Sequence, residues 1–211
     1  EPLDTVAPYV KQMGSKMEYT VALDTSRKTH ERYMKAYGQG GIPTAFVIDQ
    51  KGRVAWLGHP MANLDKVVSD VIAGTYDIEL AKRAMRAEQD LPEYFKLAQS
   101  GDASKARAIG DRILADAGSN SGLLNQFAWT ILTSPKLTDR DLELAMNVAK
   151  AAYDASEGKS GMVTDTYARA FYELGDMKKA IKYQMEAIAV TDDERLLRDL
   201  KKTLRQYERE K

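Results

Sequence analysis

The chain of 211 residues contains no cysteine and only two histidines, His30 and His59. Without cysteine it forms no disulfide, binds no metal through thiolates and offers no thiol nucleophile. Two histidines leave little for a histidine-built metal site. We therefore predict no metal, no cofactor and no catalytic residue within this chain.

The chain also lacks an excess of charge of either sign and a long apolar run. Its 31 basic and 31 acidic side chains balance, which gives no electrostatic footprint for nucleic acid or anionic lipid. No run approaches the roughly 20 apolar residues that a membrane span requires. An apolar fraction of 44% is ordinary for a globular chain. We expect a folded protein with no membrane span and no nucleic acid partner.

Alanine and proline divide the chain near residue 75. Seven of the 27 alanines precede residue 76, and so do four of the six prolines. Alanine favours helices, whereas proline and glycine interrupt them. We therefore predict an α/β domain over 1–75 and an all-α domain over 76–211.

Hydrophobic periodicity gives the predicted order of the first domain as helix, strand, helix, hairpin, helix. Apolar and polar side chains alternate over 17–23, which predicts a half-buried strand. The continuous apolar run 45–48 predicts a strand buried on both faces. The turn over 49–52 then predicts an antiparallel hairpin with 54–57.

The segment that begins at Gly38 reads Gly-Gln-Gly-Gly-Ile-Pro-Thr-Ala-Phe-Val-Ile-Asp-Gln-Lys-Gly-Arg-Val, and Gly58-His59-Pro60 follows it. This arrangement resembles the thioredoxin-like redoxins, and among them the TlpA-type thiol–disulfide oxidoreductases. In that family a Gly-Ile/Val-Pro-Thr turn opens a buried strand that leads to Asp, a Lys-Gly turn and a second strand. The resemblance covers residues 1–75 and implies a partial thioredoxin-like fold and an extracytoplasmic, periplasmic location.

The resemblance also implies a substrate-binding turn formed by Gly41, Ile42, Pro43 and Thr44, which would face a thiol or disulfide protein substrate. In the family the proline of this turn follows a cis peptide bond, so the resemblance favours a cis Ile42–Pro43 bond. The alternative is an ordinary trans proline that opens a strand.

The reactive Cys-x-x-C of the family lies on a strand–helix unit upstream, and this sequence does not contain that unit. A thiolate is the group that attacks a disulfide, so we expect the chain as given to be redox-inactive. The chain opens Glu-Pro-Leu without an initiator Met, and we expect it to be cut or incomplete at its amino end.

The sequence of the second domain contains an internal repeat. Gly101-Asp102 precedes Ala106 by the same interval that separates Gly175-Asp176 from Ala180. The pattern resembles tetratricopeptide repeats, with three units and a capping helix at 87–120, 121–160, 161–193 and 194–210. An irregular helical bundle with one chance match is the alternative.

The repeat register places candidate partner-binding residues on a concave face. Asn125 and Arg169 are candidates for holding a peptide carboxylate or backbone, and Trp129 and Tyr172 are candidate apolar anchors. The alternative is that Trp129 and Tyr172 only pack against neighbours and that Arg169 is a solvated charge.

These patterns lead to three hypotheses about function. The first is a fragment of a thiol–disulfide oxidoreductase whose helical repeats bind a protein or peptide partner. The second is a non-enzymatic adaptor in which a degenerate thioredoxin-like domain supports the binding array. The third is a helical interaction module that the short α/β segment merely caps.

Overall fold

The computed structural model describes residues 2–61 and 63–210, which are mostly helical and include one small antiparallel sheet. The chain divides into two compact units, Glu1–Tyr76 and Asp77–Lys211, called here the amino-terminal unit and the carboxy-terminal unit. This division lies next to the change in composition near residue 75.

The described residues of the amino-terminal unit form two α-helices, a short 3-10 helix at Gly14–Lys16, a π-helical segment and two strands; the 3-10 helix directly follows the first α-helix. In chain order the other elements are α1 Leu3–Met13, the π-helical segment His30–Lys35, β1 Ala45–Ile48, β2 Val54–Gly58 and α2 Leu64–Ala73. The carboxy-terminal unit is helical. Its helices are α3 Ile78–Ser100, α4 Ala103–Asp116, α5 Ser121–Thr133, α6 Leu142–Ala155, α7 Gly161–Glu173, α8 Met177–Ala189 and α9 Glu194–Arg209.

The predicted hairpin is confirmed. Strands β1 and β2 pair antiparallel, with Ala45 opposite Gly58 and an irregularity in register next to Ile48. The Asp49 carboxylate holds the turn because it accepts hydrogen bonds from the backbone N–H groups of Lys51 (2.9 Å) and Arg53 (2.8 Å). An aspartate in this position stabilises a tight turn by substituting for backbone acceptors.

The predicted strand over 17–23 is wrong. These residues are irregular, and Tyr19 is 68% exposed. A strand requires a neighbour to satisfy its backbone groups, and in residues 2–61 and 63–210 β1 and β2 pair only with each other. The expectation that β1 is buried on both faces is also wrong, since Ile48 is exposed and Phe46 is half-buried. A two-stranded sheet does not by itself define a thioredoxin-like fold.

The carboxy-terminal unit consists of three helix–turn–helix pairs, α3–α4, α5–α6 and α7–α8, followed by α9. Its first and third turns share the predicted Gly-Asp signature. Gly101 and Gly175 have positive φ angles of 81° and 80°, a backbone conformation that ends a helix with little strain only at glycine. Asp102 and Asp176 then cap α4 and α8, because their carboxylates accept a backbone N–H from the first turn of each helix.

Small side chains lie where the helices of these pairs meet. Ala106 on α4 and Ala180 on α8 are both buried, as the repeat pattern requires. The predicted ranges 121–160 and 161–193 each contain one helix pair. The first pair begins earlier than predicted, at Ile78, because the Asp77 side chain caps α3 there.

The core of the carboxy-terminal unit is continuous along these pairs. The edge of the Tyr94 ring packs on Phe127 at a centroid distance of 4.7 Å and joins the first pair to the second. Several side chains in the second and third pairs are almost completely buried, among them Leu124, Phe127, Ile131, Leu144, Val148, Val163 and Tyr167. This packing fixes the faces of α5 and α7 that remain accessible.

Candidate peptide-binding groove

A concave cavity of about 470 Å³ lies within the carboxy-terminal unit, and three helices line it. We call it the α5–α7–α9 groove. The lining side chains are Asn125, Gln126 and Trp129 of α5, Met162, Asp165 and Thr166 of α7, and Leu196, Asp199, Leu200 and Thr203 of α9. Its volume lies within the range usual for ligand-binding cavities.

Helix α5 presents its lining residues because its other face is committed to the core. The Asn120 side chain caps the helix by accepting the Leu123 N–H at 3.1 Å. Phe127 and Ala128 are completely buried. Asn125 and Trp129, four residues apart, therefore share the face that turns away from the core.

The groove has apolar walls that remain open to solvent. Trp129 on α5 is 41% exposed, and Met162 on α7 is 58% exposed. Leu196 on α9 is half-buried and adds apolar surface to the opposite side. Exposed tryptophan and methionine in a concavity are typical of recognition surfaces, since both bury a large apolar area on contact.

Asp165 on α7 is the most constrained polar group of the groove. Its carboxylate accepts a 2.7 Å hydrogen bond from Nε2 of Gln184, a completely buried side chain on α8. The same Nε2 donates a longer bond of 3.3 Å to the Leu200 carbonyl on α9. One amide thereby ties together α7, α8 and α9.

The pKa of Asp165 lies above its usual value, first because burial disfavours the charged carboxylate. The Gln184 hydrogen bond and the Arg169 guanidinium lower this pKa, whereas the negative charge of Asp199 raises it. Asp199 is exposed on α9. The groove therefore holds two carboxylates, and its lining within the described part of the chain includes no lysine or arginine.

Two of the four predicted partner-binding residues line the groove. Asn125 and Trp129 do so from adjacent turns of α5. The Asn125 Oδ1 atom is buried and has no hydrogen-bond partner in residues 2–61 and 63–210. A buried amide oxygen without a donor is costly, and because this atom is covered, a ligand would reach it only after the Asn125 side chain turned.

The other two predicted residues, Arg169 and Tyr172, lie outside the groove lining. The Arg169 guanidinium forms a 2.6 Å ion pair with Glu173, and its Cζ atom lies 5.2 Å from the centroid of the Tyr172 ring. Tyr172 stacks on Tyr207 of α9 and donates a hydrogen bond of 2.6 Å to Glu210. Tyr172 thus joins α7 to α9, whereas these contacts of Arg169 lie within α7.

Sequence reasoning missed the contribution of α9, which was expected only to cap the array. Leu196, Asp199, Leu200 and Thr203 follow the spacing of a single helix face, and this pattern is visible in the sequence. It was missed because Leu200 is itself buried, so the same face serves both the core and the groove. No pattern in the sequence indicated that the Gln184 side chain is buried and donates a hydrogen bond to Asp165.

The turn predicted to bind substrate lies in the amino-terminal unit. The Ile42–Pro43 peptide bond is cis. Ile42 is 91% exposed, and the Thr44 hydroxyl donates a 2.7 Å hydrogen bond to the Gly41 carbonyl. The turn leads directly into β1. Its first three residues are exposed, and Thr44 is half-buried.

Comparison of the chain with protein-family models, with curated proteins and with solved structures found no match. Within residues 2–61 and 63–210, no helix has the length and apolarity to cross a membrane. The same described residues contain no group of three or more histidine, aspartate or glutamate side chains arranged to hold a metal ion.

Proposed function

We propose that the chain is a protein-interaction module that binds a peptide segment of a partner protein in the α5–α7–α9 groove. The observation that carries this proposal is the exposure of Trp129 and Met162 in a concave cavity whose lining also includes polar side chains. The packing of α5 and α7 within their helix pairs orders two sides of this cavity without a ligand, which reduces the entropy lost on binding. The helix pairs act as tetratricopeptide-like repeats in this proposal.

Selection of peptides from a random library on the full chain tests this function. Trp129→Ala should weaken the selected peptides about tenfold or more, because a buried tryptophan is commonly a dominant contact in an interface. Leu174→Ala is the control, since Leu174 is 49% exposed and does not line the groove. Equal affinities of both variants and the unmodified chain would contradict the proposal.

Fluorescence gives the readout for these titrations. The chain contains two tryptophans, of which Trp56 lies in β2 of the amino-terminal unit. Trp56→Phe leaves Trp129 as the only indole, so a peptide that covers the groove should shift its emission. A peptide that binds without changing this emission would lie elsewhere on the molecule.

A second candidate function concerns the amino-terminal unit. The exposed turn Gly41–Thr44 is followed by β1, β2 and α2 in the order that the redoxin resemblance implies. We propose that a larger periplasmic protein carrying this unit exchanges disulfides, with the groove holding its protein partner. The chain itself contains no cysteine and performs no such exchange.

The coding sequence upstream of Glu1 distinguishes the oxidoreductase hypothesis from the adaptor hypothesis. A Cys-x-x-C on a strand–helix pattern there supports the oxidoreductase, whose complete form should reduce a disulfide substrate. A start codon at or near Glu1 contradicts it and favours the adaptor, in which the same unit serves only as a platform. Neither outcome changes the proposal for the groove.

A further inference from the structure

The chemistry of the α5–α7–α9 groove restricts what it accepts. Asp165 and Asp199 contribute negative charge from α7 and α9, and no lysine or arginine from the described residues lines the cavity. The positive group that acts on Asp165 is Arg169, which lies outside the lining and shares the Glu173 carboxylate with Arg140, at 2.6 and 2.8 Å. The lining of the groove therefore carries two carboxylates and no cation from the described residues, although the whole chain is neutral.

A carboxylate that enters this groove would meet two like charges in a partly desolvated site. Such an encounter is unfavourable, because like charges brought together in an interface repel each other. The site therefore selects against acidic segments and carboxyl termini. The earlier expectation that Asn125 and Arg169 hold a peptide carboxylate does not suit this charge distribution.

A cation meets the opposite situation. A lysine or arginine beside Asp165 would offset the cost of burying that carboxylate, and the screening of such a pair by salt is reduced because Asp165 is mostly buried. The face of an exposed indole also attracts ammonium and guanidinium groups, and Trp129 lines the same cavity. Charge and aromatic surface thus favour the same kind of side chain.

The apolar walls define the second requirement. Trp129 and Met162 are large and exposed, and a lone cation would leave most of their surface in water. An apolar side chain next to the basic one covers these walls and releases that water.

We propose that the occupant of the groove is a peptide segment carrying a lysine or arginine beside an apolar residue, with the cation against Asp165 and Asp199. This inference rests on the proposed function of the groove as a peptide-binding site. It adds the chemistry of the partner, which is basic and apolar in adjacent positions.

The test begins with peptides selected from a random library on the full chain. The selected sequences should be enriched in a basic residue next to an apolar one. Replacement of that basic residue with norleucine, which keeps the aliphatic stem, should weaken binding about tenfold. Replacement with glutamate should weaken it further, and raising the salt concentration should reduce the affinity of the basic peptide more than that of the norleucine peptide.

Two matched pairs of variants locate the contacts. Asp199→Asn should weaken the basic peptide about threefold, in keeping with an exposed ion pair, and should leave the norleucine peptide unchanged. Asp192→Asn removes the same charge from an exposed position outside the groove and should change neither. Met162→Ala should weaken both peptides, whereas Met185→Ala, a methionine of similar exposure (56%) on α8, should weaken neither.

The possible results separate this inference from the function beneath it. Suppose that the selected peptides depend on Trp129 but bind equally well after norleucine replaces their basic residue. This result would overturn the inference that the partner is basic, and it would still support the groove as a peptide-binding site. The absence of any peptide that depends on Trp129 would overturn both. Self-association of the chain that Asp199→Asn abolishes would show that a second copy fills the groove, which would also overturn the proposal.

Discussion

The two units of this chain differ in how they bury apolar side chains. In the part of the amino-terminal unit that the structure describes, the buried apolar residues are Ala55, Val67 and Val71. The carboxy-terminal unit buries large side chains along its whole length, Phe127 and Ile131 among them. Stacked helix pairs cover one another in turn, whereas a two-stranded hairpin with few helices does not enclose a core.

The amino-terminal unit shows this shortage directly. An open cavity of about 460 Å³ lies beside β1, and Tyr33, Phe46 and Ile48 are among its lining residues. The rings of Tyr33 and Tyr37 contact Phe46 edge-on at 5.3 and 5.7 Å, which covers part of one face of the strand. The carboxy-terminal unit therefore has the large buried core that an independent fold requires, whereas the amino-terminal unit depends on few contacts.

Expression of the two units as separate proteins is the strongest test of the difference between their cores. Residues 77–211 alone should remain soluble and helical and should unfold in one cooperative transition, because their core is complete. Residues 1–76 alone should show no cooperative transition, since so few apolar side chains leave water. Circular dichroism during heating measures both. A cooperative transition for residues 1–76, or an insoluble product for residues 77–211, would show that the comparison is wrong.

A single methyl group tests the packing of the carboxy-terminal unit. A Cβ atom added at Gly161 would lie 1.8 Å from Oγ1 of Thr191 and 2.9 Å from the Ala187 carbonyl oxygen. Because the Ala187 oxygen belongs to the backbone of α8 and the Thr191 side chain would have to move away, Gly161→Ala should lower the free energy of unfolding by about 2 kcal/mol. Urea denaturation of the full chain, followed by helical circular dichroism, measures this loss.

Gly122→Ala is the matched control for that substitution. Gly122 lies in the first turn of α5, and an added Cβ would meet only Oδ1 of Asn120 at 3.6 Å. Since alanine is the better helix former, this variant should be unchanged or more stable by about 0.5–1 kcal/mol. Similar losses at Gly161 and Gly122 would mean that the close approach of α7 and α8 does not determine stability.

The smallest expected effect contrasts one carboxylate from each unit. Burial raises the pKa of Asp165, so this group opposes folding at neutral pH and ceases to do so as the pH falls below its folded pKa. Asp165→Asn should therefore raise the free energy of unfolding at pH 7, and the difference from the unmodified chain should shrink on acidification. The urea midpoint from pH 7 to pH 3 measures this difference.

Asp49 should behave in the opposite way. The backbone N–H of Arg53, its largest influence, lowers the pKa of Asp49, so its contribution to stability is present at neutral pH and is lost as the pH falls through the folded pKa. Asp49→Asn should therefore destabilise the hairpin at pH 7 and have little effect in acid. Amide exchange of residues 51–53 measures this change, and an equal effect at both pH values would contradict it.

The predictable parts of this fold are those that local chemistry determines. The Gly-Asp turns at Gly101 and Gly175 were visible because a positive φ and a helix cap each require particular residue types. The alternation over 17–23 indicated a strand, but a strand forms only beside a partner, and alternation does not supply one. The groove was partly predictable for the same reason. Asn125 and Trp129 follow from the helix register, whereas Asp165 acquires its character from Gln184 on another helix.

Helix α9 gives the groove a further property. It packs on α7 and α8 from one side only, and elements with few packed neighbours open more readily through thermal fluctuation. An occupant that contacts α5, α7 and α9 together would hold α9 against the other two helices. Binding of a partner would then reduce the mobility of α9, which is far from the amino-terminal unit along the sequence.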